Sequence, residues 1–295
     1  MSSDQFVQYL VSGITQGSIY ALVGLGFTII YAVTNIINFA QGEFVMLGGM
    51  ISFAFFHSVG MPLVPAILLS ILIAAAIGAV LYLLAIRTAK RASTVSLIII
   101  TIGAAIFIRG IAGQVWGKDF VRPPFFTGDG TFSFLGAYIH YQALWIIGIT
   151  AAVTILLHLA FSYTMLGKAL KACAISPVAA GLVGINARTM ALISFMLAAA
   201  LGAIAGVAMA PLATASYSVG VMLGLKGFVA AAIGGFKSQI AAVVGGITIG
   251  VVESLAVGLD WGPFTSAYKD AIALVVLLVI LLIRSSKLAK EERPG

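Results

Sequence analysis

The stretch from Tyr20 to Met50 constrains this chain more than any other. It is apolar at both ends, and its middle carries Asn35, Asn38, Gln41, Gly42 and Glu43. Polar and ionisable groups at membrane depth are costly, so they face a bundle interior or a water-filled path. Membrane depth follows from composition. Hydrophobic residues make up 61% of the chain and charged residues 8%, with a mean hydropathy of +1.15. A soluble chain is nearer ~25% charged. A soluble domain of 295 residues has core enough to bury, but too few charges here to cover it. The 33 glycines fit helices packing closely in lipid, where small residues let backbones approach.

The net charge of +7 bears on topology rather than on nucleic acid. The basic residues are scattered among short loops and form no stripe for a phosphate backbone. The single Cys173 excludes a disulfide framework, and no CxxC or Cys/His set suggests a metal. His57, His140 and His158 are far apart in sequence and read as interfacial or packed. The N-terminal MSSDQ has no positive region, and the apolar stretch behind it is too long for a signal peptide.

A membrane-spanning helix needs about 20 mainly apolar residues. The hydrophobic segments are Phe6 to Val33, Phe39 to Phe56, Leu63 to Ile86, Val95 to Val115, Ala143 to Phe161, Ala191 to Pro211, Gln239 to Val257 and Ala271 to Ile283. A shorter, Gly-rich stretch runs from Val219 to Gly235. The expected fold class is all-α and polytopic, with about 8–9 transmembrane helices, some broken or short, in a single domain over 1–295.

Loops rich in Lys and Arg face the cytoplasm. Arg87, Lys90 and Arg91, then Lys168, Lys171 and Arg188, then Lys237, then Arg284, Lys287, Lys290 and Arg293 share one side if the N-terminus is external. That arrangement places 11 of the 16 basic residues inside, with Lys118, Arg122 and Lys269 outside and Arg109 and Lys226 at membrane depth. It requires Val219 to Gly235 to cross; the alternative is a re-entrant hairpin. The segment KDFVRPPFFTGDGTFSFLG, with its Pro-Pro and Gly-Asp-Gly turn signals, reads as an ordered external loop. An internal echo links NFAQGEFVMLGG, from Asn38 to Gly49, with GLKGFVAAAIGG, from Gly224 to Gly235. Interrupted segments matched between two halves point to an inverted repeat and to a transporter's path.

Three stretches carry a resemblance. They are GITQGSIYALVGLGFTIIYAVTNIINFAQGEFVMLGG (Gly13 to Gly49), GKALKACAISPVAAGLVGIN (Gly167 to Asn186) with the helix ALISFMLAAALGAIAGVAMAP after it, and GLKGFVAAAIGGFKSQIAAVVGGITIGVVESL (Gly224 to Leu255). In order and spacing they resemble the permeases of branched-chain amino acid ABC transporters, of the LivH type, over essentially the whole chain. The sequence departs from that pattern at Gln41, where a His is common, at Ser176-Pro177, where an acidic residue is frequent, and at Gln239-Ile240, where Pro-Gly is common.

The resemblance implies a permease of the bacterial inner membrane that catalyses no chemistry and needs no cofactor. It would form the pathway with a second permease, identical or homologous. Two cytoplasmic ATP-binding subunits would drive it, and an extracytoplasmic binding protein would deliver an amino acid. The chain itself has no GxxxxGK[ST] phosphate loop. The rival reading is an ion-coupled carrier or channel for a small solute, with Glu43, Arg109 and Glu253 as an ion site. A membrane enzyme is disfavoured, since no nucleophile–base spacing is visible.

Asn35, Asn38, Gln41, Gly42 and Glu43 are the expected pathway or gating residues. Asn35, Asn38 and Gln41 are at hand as donors to Glu43. On a helix, 35, 38 and 42 would share a face, with 39 and 43 beside them. The alternative is a polar helix end at the interface. Arg109 and Glu253 are expected either to pair with each other, to pair across subunits, or, for Arg109, to snorkel. Lys226 is expected to snorkel.

In the loop of about 163–190, Ser176 suits an N-cap and Pro177 a first turn, with Gly184 as the stop. The short helix between would present Ala179, Ala180 and Val183 to a groove on the ATPase, by the resemblance, or rest on lipid headgroups.

Overall fold

The computed structural model describes residues 3–89, 92–236 and 238–258, and beyond them 270–271, 274–275 and 278–279. Lys90, Arg91, Lys237, Asp260, Lys269, the basic tail 284–295 and most of the stretch from Ala271 to Ile283 lie outside the described residues. Ten α-helices are described: α1 Ser3–Thr34, α2 Gln41–His57, α3 Leu63–Leu81, α4 Thr94–Trp116, α5 Tyr141–Tyr163, α6 Met165–Ile175, α7 Pro177–Leu182, α8 Ala187–Ala213, α9 Val219–Ile233 and α10 Gln239–Gly258. Six helical segments are long and apolar enough to cross a membrane: α1, α3 with the π-helical turn Tyr82–Ile86 that extends it, α4, α5, α8 and α10. The 17 residues of α2 and the 15 of α9 are shorter, reaching about 25 and 22 Å at 1.5 Å per residue.

The helix ends have local causes. Ser93 caps α4 by accepting from Ser96 N–H, and Gly117, at φ 76°, stops it. Asn186 caps α8 by accepting from the N–H groups of Arg188 and Thr189. Pro211, inside α8, removes a backbone donor. Nearby carbonyls find other partners: Gln142 Nε2 donates to Ala208 O at 2.8 Å and Arg122 Nε to Pro211 O at 2.6 Å.

The ordered loop expected between α4 and α5 contains a β-hairpin. Strands β1 (Thr131–Phe134) and β2 (Ala137–His140) are antiparallel, with Phe134 opposite Ala137. Leu135 and Gly136 both have positive φ, 51° and 81°, the geometry of a type I′ turn. Gln8 of α1 accepts from Tyr138 N–H and donates to Tyr138 O, so the hairpin lies beside the start of α1. A bridge between Val121 and Ala215 puts the end of α8 on that same side. α1 and α8 therefore run in opposite directions.

An inverted repeat is written into the packing. α1 ends at Asn35 with φ 55°, and a short helix follows; α8 ends at Thr214 with φ 60°, and a short helix follows. Gly48 of α2 packs against Ala203 of α8, and Gly227 of α9 packs against Val23 and Gly24 of α1. Adding 179 to 48 and subtracting 179 from 203 gives 227 and 24. The same shift turns the contact of Gly49 with Gly206 into the ring pair Phe228–Phe27. The sequence echo found the right helices in the wrong register. It aligned Gly48-Gly49 with Gly234-Gly235, whereas the packing aligns them with Gly227-Phe228.

At the centre of this symmetry Gly42 and Gly220 touch each other. A Cβ on Gly42 would fall on the Gly220 carbonyl, and one on Gly220 would lie 2.8 Å from the Gly42 carbonyl. Both glycines stand in the first turn of their helices. α2 runs alongside α8 and α9 alongside α1, so the two short helices start together and diverge. α9 is one continuous helix rather than a re-entrant hairpin.

Candidate functional site

The segment between α1 and α2 is irregular and largely buried. Asn35 N–H still reaches Tyr31 O at 2.8 Å, and then the chain leaves the helix. Thr101 of α4 holds this segment, accepting from Phe39 N–H at 3.2 Å and lying 3.4 Å from Ile37 O. Asn38 Oδ1 accepts from Ala40 N–H at 3.2 Å, a local turn that aims the chain into α2. Aromatic rings line the flank, with Phe39 against Phe228 and Phe228 against Phe236.

Three polar side chains in this break are buried: Asn38 and Gln41 at 0% exposure and Glu43 at 2%. Gln41 Nε2 donates to Ala198 O at 2.8 Å. Its carboxamide occupies the gap left by Gly26 and approaches Gly202. Asn38 Nδ2, Gln41 Oε1 and Glu43 Oε2 have no hydrogen-bond partner among the described residues. An unsatisfied buried group costs ~1–3 kcal/mol, so three between Asn38 and Glu43 mark a place built for something other than stability.

Glu43 owes its tolerance to its surroundings. Its Oε1 lies 3.7 Å from Arg109 Nε on α4. Its Oε2 lies beside Gly220 in the first turn of α9. The carboxylate thus sits in the first turn of α2, against the first turn of α9, and both N-terminal dipoles favour negative charge there.

This geometry corrects three expectations. Arg109 pairs with Glu43, not with Glu253, because α4 packs beside α2. The helix breaks at Asn35, so 35, 38 and 42 do not share a helical face, and Asn35 is exposed away from the site. Gln41 and Asn38 do not donate to Glu43: the first faces α8, and the second folds on its own backbone.

Lys226 is the fourth correction. It is buried rather than snorkelled. Its Nζ donates to Glu253 Oε1 at 2.7 Å and to the Tyr20 hydroxyl at 3.2 Å, and lies 2.7 Å from Asp270 Oδ1. Tyr20 in turn donates to Glu253 Oε2 at 3.1 Å. A buried charge needs such a set of partners. Tyr20, Asp270, Thr101 and Gly220 escaped sequence reasoning. An aromatic in an apolar run, a distant acid, one Thr among many and one Gly among 33 carry no distinguishing signal.

The loop between α5 and α8 forms as its cap pattern predicts. Ser176 Oγ accepts from Ala179 N–H at 3.2 Å, Pro177 opens α7, and Gly184, at φ 85°, follows its end. Of the expected face, Ala179 and Val183 are exposed and Ala180 is not. Ala180 is only 3% exposed, while Val178, Leu182 and Val183 are 78%, 86% and 75% exposed, as is Ile175 at 87%. This six-residue helix lies at the start of α8 and turns Ala180 inward, and the larger apolar side chains point out.

Comparison with known proteins agrees with this architecture. The sequence pattern of the family described as the permease component of branched-chain amino acid transport systems matches residues 9–281. The chain is 33% identical over 292 residues to BraD of Pseudomonas aeruginosa, a high-affinity branched-chain amino acid transport system permease protein. That match covers 95% of this chain and 94% of BraD. It is 30% identical over 293 residues to LivH of Escherichia coli K12, likewise named, covering 94% and 93%. The probable LivH of Methanocaldococcus jannaschii is 26% identical over 289 residues, covering 93% and 89%. The chain belongs to the permease-component family of branched-chain amino acid transport systems.

Proposed function

We propose that this chain is the membrane-spanning permease of an ATP-driven importer for branched-chain or related amino acids. It would work with a second permease, identical or homologous, two cytoplasmic ATP-binding subunits and an extracytoplasmic binding protein. The relatives' names supply the substrate class, and α7 supplies the mechanism. Four large apolar side chains around it, Ile175, Val178, Leu182 and Val183, stand exposed on a capped and stopped helix. Such a helix suits a groove on a partner, and motion of that partner would re-gate the break at Asn35–Glu43. In this reading the N-terminus is external and the α6–α7 loop and C-terminus are cytoplasmic, as the basic-residue bias favours.

The rival, an ion-coupled carrier, needs free ionisable groups. Glu253 is engaged with Lys226 and Tyr20, which leaves the Glu43–Arg109 pair as its only described candidate among the three charges.

Two measurements test the proposal. Detergent-extracted protein should co-purify with ATP-binding subunits, and Val178→Glu with Leu182→Glu should abolish that association and leave membrane insertion intact. Uptake that persists without any ATPase would favour the ion-coupled reading. Labelling of Ser286→Cys from outside intact cells would refute the orientation.

A further inference from the structure

We propose that the Glu43–Arg109 pair, with the apolar crevice beside it, is an intramembrane subsite for an aliphatic amino acid in its zwitterionic form. The proposal rests on the import reading above and deepens it. Family membership does not point to these two residues; their unfilled bonding capacity does. Glu43 is 98% buried by its side chain, yet Oε2 has no partner among the described residues. Arg109 has five guanidinium N–H donors, and its one described polar contact is the 3.7 Å approach of Nε to Glu43 Oε1. A carboxylate with one oxygen free and a guanidinium with most donors free are complementary to an α-ammonium and an α-carboxylate.

The position suits a transient ligand. The first turns of α2 and α9 meet at Gly42 and Gly220 and hold the Glu43 carboxylate. With the anion supplied by the protein, the group left to recognise there is a cation. Arg109 comes from the other side, on α4, and its side chain is 29% exposed. It can turn from Glu43 to a ligand carboxylate and grip it with two parallel bonds.

The third element is room for a side chain. A crevice of about 530 Å³ opens between α2, α3 and α4 and is lined by apolar side chains only. Glu43 and Arg109 do not line it themselves, but it runs beside them, with α4 lining it from Ala104 to Trp116. Leu47 lies one turn beyond Glu43 on α2, and Ile108 and Ala112 flank Arg109 on α4; all three line it. A branched aliphatic side chain finds hydrocarbon contacts there, and a polar one finds no partner. The chemistry selects a zwitterion with an apolar side chain, and it rejects molecules carrying only one of the two charges.

The test uses the assembled complex of permease and ATPase subunits in lipid nanodiscs, without binding protein, and reads tritiated L-leucine binding by scintillation proximity. Saturable binding is expected. Isopentylamine, which lacks the carboxylate, and 4-methylpentanoate, which lacks the ammonium, should each compete roughly tenfold or more weakly, as loss of one charged hydrogen bond dictates. Glu43→Gln and Arg109→Gln should weaken binding by a similar factor. Ala104→Phe, which narrows the crevice and leaves the pair untouched, should weaken leucine while sparing glycine. That variant carries the test if a charge variant fails to assemble.

Equal binding in all assembled variants, or equal competition by the two single-charge analogues, overturns the proposal. So does an absence of saturable binding in a complex that imports leucine once its binding protein is added. A complex that imports no aliphatic amino acid overturns the import reading, and the proposal with it.

Discussion

Lys226→Met is the sharpest perturbation this fold offers. The lysine ammonium is held between two carboxylates, Glu253 Oε1 and Asp270 Oδ1, each at 2.7 Å, with the Tyr20 hydroxyl beside it. Its side chain is 7% exposed and that of Glu253 1%. Removing the cation leaves Glu253 buried without its counter-ion and opposite a second acid. Breaking a buried pair from one side costs ~3–5 kcal/mol. At about 2 °C per kcal/mol for a chain of this size, that is a fall of roughly 6–10 °C in unfolding midpoint.

Glu253→Gln should cost less, about 1–3 kcal/mol, because Asp270 still balances Lys226 and the amide oxygen can still accept. The double variant Lys226→Met with Glu253→Leu should recover most of the loss, since an apolar pair of similar volume replaces the buried ion pair and the one charge left, Asp270, is 49% exposed. The assay is thermal stability by fluorescence-detected size exclusion in one detergent, with all four proteins measured together. A Lys226→Met midpoint within 2 °C of wild type would show that Lys226 reaches water, as snorkelling demands, and would refute the buried network. A double variant no better than the single would show that Lys226 acts through packing rather than charge.

Gly42→Ala should destabilise the protein and impair uptake, because the added methyl meets the backbone of α9, which cannot turn aside as a side chain could; overpacking costs ~1–3 kcal/mol. Gly148→Ala, in α5 with nothing within 4 Å of the added carbon, should stabilise by up to about 1 kcal/mol in the same melting assay. Ser176→Ala should cost α7 ~0.5–2 kcal/mol, read as faster amide exchange over 178–182 with the core unchanged. Cys173 is 1% exposed on α6, and burial raises its thiol pKa above the ordinary value. At neutral pH it should therefore resist maleimide in the folded protein and label fully in dodecyl sulfate.

Much of this architecture is legible because lipid simplifies the rules. Hydrocarbon demands internally bonded backbone, so apolar runs of the right length mark helices. The exact helix ends were legible too where caps are chemical, as at Ser176 and Pro177. The partners of the charges were not. Arg109 and Glu253 look alike as pairing candidates in sequence, and which acid faces which base depends on helix neighbours that periodicity does not specify. The packing of α4 beside α2 decides that Glu43 meets Arg109; the neighbourhood of α1, α9 and α10 decides that Lys226 meets Glu253.

The inward turn of Ala180 on α7 is illegible for a related reason. Small apolar residues suggest a docking surface when a helix is considered alone, but they equally suit close contact with the helix beneath. Ala180 lies against its own protein, and Val178 and Leu182 do not. Ala180→Trp would then disturb the seat of α7 before it touched any partner, and would lose binding for the wrong reason. Val178→Glu keeps the seat and changes the outward face alone. If that variant still held its ATPase, the docking surface would have to lie elsewhere on the loop, whatever Ala180→Trp did.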